Sequence, residues 1–206
     1  MKHKKIALVA ALAACAWTAP AAFAQSANPA GVAIGLGLGA VGTSTKVRSG
    51  TDSVELGKTT HVGSNVDLSY TFATPAPLVS VGLGATMDLG QTKSGTMSVG
   101  ASNLTVRLKD HYSLYVQPAV EINPNTTLFA KLAFHAGTAE GSGSFANFSI
   151  NHLSGLGTGV GIKTFVHRNV FIQAELSSVS FGKESIAGGA IKPRLAAGIV
   201  TLGYKF

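Results

Sequence analysis

Three features of the chain predict an all-β fold, an eight-stranded antiparallel up-and-down transmembrane β-barrel. Apolar residues alternate strictly with small or polar ones. Short links bearing Pro or Asn alternate with longer polar links. The chain is also apolar overall, with 46% hydrophobic and only 12% charged residues among 206. Successive side chains of a strand point to opposite faces, so a period of two means two different surroundings. After the N-terminus no segment offers the roughly eighteen consecutive apolar residues that read as a membrane helix.

The strands follow in chain order. Val32, Ile34, Leu36 and Leu38 alternate with Ala33, Gly35, Gly37 and Gly39. Val66, Leu68, Tyr70 and Phe72 alternate with Asn65, Asp67, Ser69 and Thr71. Val79, Val81, Leu83, Ala85, Met87 and Leu89 share one parity, with Ser80, Gly82, Gly84, Thr86 and Asp88 on the other. Leu114, Val116, Val120 and Ile122 alternate with Ser113, Tyr115, Gln117 and Glu121. The next pair of segments sets Leu128, Ala130, Leu132 and Phe134 against Lys131 and His135, then Leu156, Val160 and Ile162 against four glycines and Lys163. Val170, Ile172, Ala174 and Leu176 follow, and Val200, Leu202, Tyr204 and Phe206 close the series. Each segment is about ten residues long, the length of a tilted strand that crosses a bilayer.

Thr74-Pro75-Ala76-Pro77, Asn123-Pro124-Asn125 and His167-Arg168-Asn169 are short turns, where Pro and Asn have backbone reasons to occur. Residues 43–61, 91–105, 138–153 and 182–194 form longer links rich in Gly, Ser and Thr. Short turns on one side and long loops on the other are the connectivity of a membrane barrel. Pro118 removes a ladder hydrogen bond in mid-strand, which predicts a bulge there. Residues 104–112 also alternate and extend the fourth strand upward. A secreted β-sandwich alternates as well. The small, glycine-rich inward set and the purely aliphatic mid-strand outer set favour the barrel. Tyr70, Phe72, Tyr204 and Phe206 stand where an aromatic girdle belongs. Phe129, Phe165 and Phe171 lie near the turns on inward parity.

The N-terminus is read apart from this domain. Lys2, His3, Lys4 and Lys5 precede the apolar run Ile6 to Cys15, and Ala22-Phe23-Ala24 ends in a small-x-small site before Gln25, the layout of a secretory signal peptide. Residues 1–24 are thus the signal peptide and 25–206 the barrel. Leu12-Ala13-Ala14-Cys15 also resembles a lipoprotein signal, with Cys15 lipidated instead. Removal of residues 1–24 takes away three lysines and lowers the formal charge from +7 to +4. The scattered basic residues form no nucleic-acid footprint. No histidine spacing suggests a metal, and no cofactor is expected. Gly35-x-Gly37-x-Gly39 lies in an alternating strand without the helix a nucleotide loop requires.

Eight strands leave an interior that side chains just fill. Asp67, Asp88, Glu121, Glu175, Lys131 and Lys163 point inward by parity, with His135, Gln117 and Gln173. Buried charge must find partners. Glu121 with Lys131, and Lys163 with Glu175, flank successive turns. They predict an ion-pair network that plugs the half of the lumen nearer the short turns.

Gly203-Tyr204-Lys205-Phe206 looks like the C-terminal signature of outer-membrane barrels. Tyr112-Ser113-Leu114-Tyr115-Val116, Asn123-Pro124-Asn125 and Leu128-Phe129-Ala130-Lys131-Leu132 resemble the small OmpA/OmpX-type and opacity-protein-like barrels. The resemblance implies the outer membrane of a Gram-negative bacterium, with the assembly machinery reading Tyr204 and Phe206 as partner. Lys46, Arg48, Lys58, Arg107, Lys109, Lys192 and Arg194 then form either a rim facing lipopolysaccharide phosphates or an ordinary solvated surface.

Three functions are weighed. A structural or surface-interaction scaffold displays four extracellular loops to a ligand the sequence does not name. A narrow, porin-like channel is the alternative. A lipid-modifying enzyme would use His111-Tyr112-Ser113, but a nucleophile needs a base oriented by an acid. Glu121 is too far along the strand for that role, and Asp110 has the wrong parity, so no catalytic residue is assigned.

Overall fold

The computed structural model describes residues 30–206 apart from 50–51, 77, 91, 100–101, 144–147 and 187–188. The leader, the cleavage site before Gln25 and the lipidation alternative at Cys15 lie outside the described residues. Ten strands follow one another: β1 (Gly31–Ser49), β2 (Asp52–Ala73), β3 (Val79–Asp88), β4 (Thr92–Val99), β5 (Ser102–Asn123), β6 (Thr126–Gly143), β7 (Phe148–Phe165), β8 (Val170–Phe181), β9 (Glu184–Ile186) and β10 (Gly189–Lys205). Eight of them close a ring in the order β1-β2-β3-β5-β6-β7-β8-β10, and β10 returns to β1. Every neighbouring pair is antiparallel. β4 continues the line of β3 and pairs with β5, while β9 continues β8 and pairs with β10. The barrel is therefore eight-stranded, with two of its strands interrupted.

Every parity assigned to the eight segments holds. Leu36, Leu83, Leu114, Leu132, Val160, Leu176 and Leu202 all stand on the outer surface, each about half exposed or more. In water such an unbroken apolar belt would be costly; in lipid it is the stable arrangement. Tyr70 and Phe72 pack edge to face at 4.7 Å, and Tyr204 and Phe206 do so at 5.0 Å, at the short-turn end. Phe129 and Phe171 instead fill the lumen.

The long links are not loops. Residues 43–61 are almost wholly β1 and β2, and residues 91–105, 138–153 and 182–194 are largely β4 to β7, β9 and β10. The strands run past the apolar belt and build a crown. There the exterior meets water, so the burial pattern inverts. Val41, Leu108, Ala139, Leu153, Val179, Phe181, Leu195 and Ala197 turn inward and form one apolar cluster. Ser178, Ser180 and Arg194 turn outward. Thr60, Ser142, Ser149, Ser178 and Ser180 are exposed on these extensions, whereas Thr43 is buried.

Two bulges help to aim the crown core. The β5/β6 register shifts between Lys109 and Tyr112, around Asp110 with φ 52°. The β6/β7 register shifts between Gly137 and Ala139, opposite His152 with φ 75°. An extra residue reverses the parity above it, which brings Leu108 and Ile150 to the inside. Pro118 carries no bulge: Val116 pairs with Leu132 and Ala119 with Phe129 in one continuous register. Its missing N–H is absorbed by omitting ladder pairs to β6, and its ring points outward.

Candidate functional site

The lumen is the candidate site, and it is layered. At the short-turn end Phe171, Thr127, Phe129, Lys163 and Lys205 are buried. The Lys163 ammonium lies 4.8 Å from the Phe171 ring centroid, a cation–π contact. The next layer holds charges. The Tyr115 hydroxyl donates to Asp67 Oδ2 at 2.7 Å. Lys131 Nζ sits 4.2 Å from the Tyr115 ring centroid and pairs with Glu175 Oε2. Both side chains of that pair are about nine-tenths buried.

Lys131 is on β6 and Glu175 on β8, so the pair reaches across β7. This differs from the pairing that turn proximity suggests. Glu121 stands opposite Thr127, four residues short of Lys131, and Lys163 stands opposite Gln173. Side chains long enough to cross the lumen meet in its middle, where β7 offers only Gly157 and Gly159 to the inside. The inward glycines are the hollows of this packing. A Cβ at Gly157 would strike the His135 ring, and one at Gly84 would strike the Tyr115 hydroxyl. The bulky group on one strand lies where its neighbour has no side chain.

Above this layer is a chamber of about 70 Å³ with a mixed wall, lined among others by Asp67, Asp88, Lys131 and Glu175 and by Val41, Leu195 and Ala197 of the crown core. That volume holds a few water molecules. Asp88 Oδ2 lies 2.9 Å from His111 Nδ1, and His111 Nε2 lies 3.0 Å from His135 Nδ1. The two imidazole rings lie nearly parallel, edge to edge, with centroids 5.1 Å apart, and His111 makes a T-shaped contact with Phe181 in the crown core. The acid beside His111 is Asp88, which arrives from β3, so proximity along the His111 strand does not reveal it. Both ring nitrogens of His111 are engaged, neither with Ser113. Ser113 is buried and shares a 2.6 Å hydrogen bond with Thr86. A nucleophile–base pair is therefore not assembled at Ser113. Among the described residues no group of three or more His, Cys, Asp or Glu is arranged to hold a metal.

The basic rim residues lie on crown strands and divide between two walls. Arg107 is exposed on β5 opposite Glu140, and Lys109 forms an ion pair with Glu140. Lys192 and Arg194 are exposed on β10. Lys46 and Arg48 are described only by their place in β1, where Lys46 stands opposite Lys192; Lys58 is placed likewise in β2.

The family model for the outer membrane protein beta-barrel domain matches residues 7–206. Among solved structures the chain is similar to Ail, the attachment invasion locus protein of Yersinia pestis, at 17% identity over 84% of this chain and 98% of that one, TM-score 0.49. Neisserial surface protein A is similar at 13% identity over 83% and 97%, TM-score 0.47. The outer membrane protease OmpT from Escherichia coli is similar at 9% identity over 90% and 99%, TM-score 0.50. At such identities the likeness concerns the fold alone. A search of curated proteins finds no match.

Proposed function

The chain belongs to the outer membrane protein β-barrel family, and on that premise we propose that it is a surface scaffold: a sealed barrel in the outer membrane of a Gram-negative bacterium that holds a folded crown outside the cell. The supporting observation is the double closure of the lumen. Phe129, Phe171, Lys163 and Lys205 fill the short-turn end, and Leu108, Leu153, Val179 and Phe181 fill the crown. A water-filled porin leaves an aqueous channel through its interior. Here the chamber lies between two layers of buried side chains. The apolar layer gives ions no hydration, and crossing it would cost each ion several kcal/mol at least.

The test is conductance in planar bilayers with refolded protein. The expected trace is flat. Steps are expected only when both closures are opened, by Leu153→Gly and Phe181→Gly in the crown combined with Phe129→Gly and Phe171→Gly at the short-turn end. Steady unitary steps from the unchanged protein would overturn the scaffold reading and favour the narrow channel. Fractionation of cells, with heat-dependent gel mobility of the outer-membrane fraction, tests the location.

A further inference from the structure

The apolar belt is not equally tall all the way round, and the register of the ring shows where it dips. A row of paired residues leaves β1 at Ile34, passes Leu114 on β5 and Leu156 on β7, and returns to β1 at Ser44, ten positions further along. That stagger tilts the eight strands by ~40°, so each residue climbs ~2.5 Å along the barrel axis and each step to the next strand ~3 Å. Heights on different strands can then be compared, with Ile34 as zero. On β5, β6 and β7 the outward apolar series ends in Tyr112, Phe134 and Leu156, roughly 12–16 Å up. On β8, β10 and β1 the last large apolar residues are Leu176, Val200 and Leu38, only roughly 7–10 Å up. The outward positions above them hold Ser178 and Ser180, Ala196 and Arg194, and Ala40, all exposed. Val62 on β2, 81% exposed, rises again on the far flank. The belt therefore has a notch three strands wide, centred on the closing strand β10. The aromatic residues hold the barrel in this attitude. Tyr70 and Phe72 on β2, with Tyr204 and Phe206 on β10, anchor the lower edge beside the notch. Exposed Tyr112 and Phe134 anchor the upper edge on the wall across the barrel. Raising or tilting the barrel to close the mismatch would pull one of these groups out of its interface.

We propose that the notch thins the bilayer: the outer-leaflet hydrocarbon draws down beside β8, β10 and β1, and lipid headgroups and water cover Ser178, Ala196 and Ala40. The inference rests on the outer-membrane reading above. A short apolar face is accommodated either by thinning the membrane or by association with another protein. A second copy of this chain is the poorer occupant. Two copies meeting on the same patch place the same residues across from each other. Each would bring exposed Lys192 and Arg194, just above the notch, towards those of the other. Headgroups and water solvate the serine hydroxyls and leave these cations in an aqueous setting.

The experiment places one nitroxide label at a time on the barrel in dimyristoylphosphatidylcholine vesicles, with Cys15, the chain's only cysteine, changed to Ser. Ser178→Cys on β8 and Phe134→Cys on β6 carry labels at nearly the same height, one in the notch and one outside it. A polar nickel chelate is kept out of hydrocarbon, so it is expected to relax the label at 178 about fivefold more than the label at 134. Adding Ala40→Leu and Ala196→Leu fills the notch at exposed positions. It is expected to bring the relaxation at 178 down to that at 134. Equal relaxation of the two labels without the leucines overturns the thinning, as does a 178 label that stays accessible once they are present. Equal relaxation together with disulfide-linked dimers of unlabelled Ser178→Cys overturns it in favour of a second barrel in the notch. A label at Leu114→Cys, in the middle of the belt, is the control for the underlying reading. If the chelate reaches it, the chain has not inserted as a barrel, a failure distinct from that of the notch.

Discussion

Leu156 on β7 faces outward and is 64% exposed, while Leu153, three residues earlier on the same strand, faces inward and is 1% exposed. The belt and the crown are built from the same continuous strands, yet they put their apolar side chains on opposite faces. Outside the belt is lipid, so apolar groups go out and polar groups must satisfy one another within. Outside the crown is water, so the ordinary soluble arrangement returns. What the comparison teaches is that burial in this molecule follows the surrounding solvent and not the distance from the barrel axis.

The charged layer of the belt region carries the largest expected effect. Lys131→Met leaves Glu175 buried without its partner and should cost about 3–5 kcal/mol, measured by urea unfolding in vesicles. Adding Glu175→Leu should return most of that loss. If the double variant is no more stable than the single, the Lys131–Glu175 pairing is not what holds this layer.

Next comes the direct contrast. Leu153→Ala opens a cavity in the crown core and should cost about 2–5 kcal/mol. It should also admit protease to the crown while the belt keeps its heat-dependent gel mobility. Leu156→Ala is backed by fluid lipid that fills the gap, so only the transfer loss of about 1.5–3 kcal/mol remains. Equal costs and no proteolytic nicking for Leu153→Ala would erase the distinction between the two regions.

A smaller effect is expected at the boundary. Gly157→Ala forces a methyl group against the His135 ring and should cost about 1–3 kcal/mol. Because His135 bonds His111, which touches Phe181, this change should loosen the crown more than the short-turn end. Exchange rates at 179–181 and at 127–131 would show which end responds. The smallest effect belongs to Ser113→Ala, about 1 kcal/mol from its bond to Thr86.

Much of this was legible in the residues. The lipid-facing set could be read because lipid demands an unbroken apolar face, and Leu36, Leu114 or Leu202 betray it by parity alone. The inward charges were legible for the same reason. Their partners were not: Lys131 and Glu175 are 44 positions apart and on non-adjacent strands, so chain proximity pointed to Glu121 and Lys163 instead. Asp88 was hidden from His111 in the same way. The crown is not legible as strands because its apolar parity is reversed and its bulges at Asp110 and around His152 break the period.

Sequence alone thus determined which face of each strand meets lipid, how many strands cross and where the tight turns fall, since these depend on nearest neighbours and on a period of two. Tertiary structure alone decided which inward side chains meet, where the glycine hollows receive Tyr115 and His135, and where the strands leave the membrane for water. Those outcomes depend on stagger around a closed ring, which brings together residues that no local pattern connects.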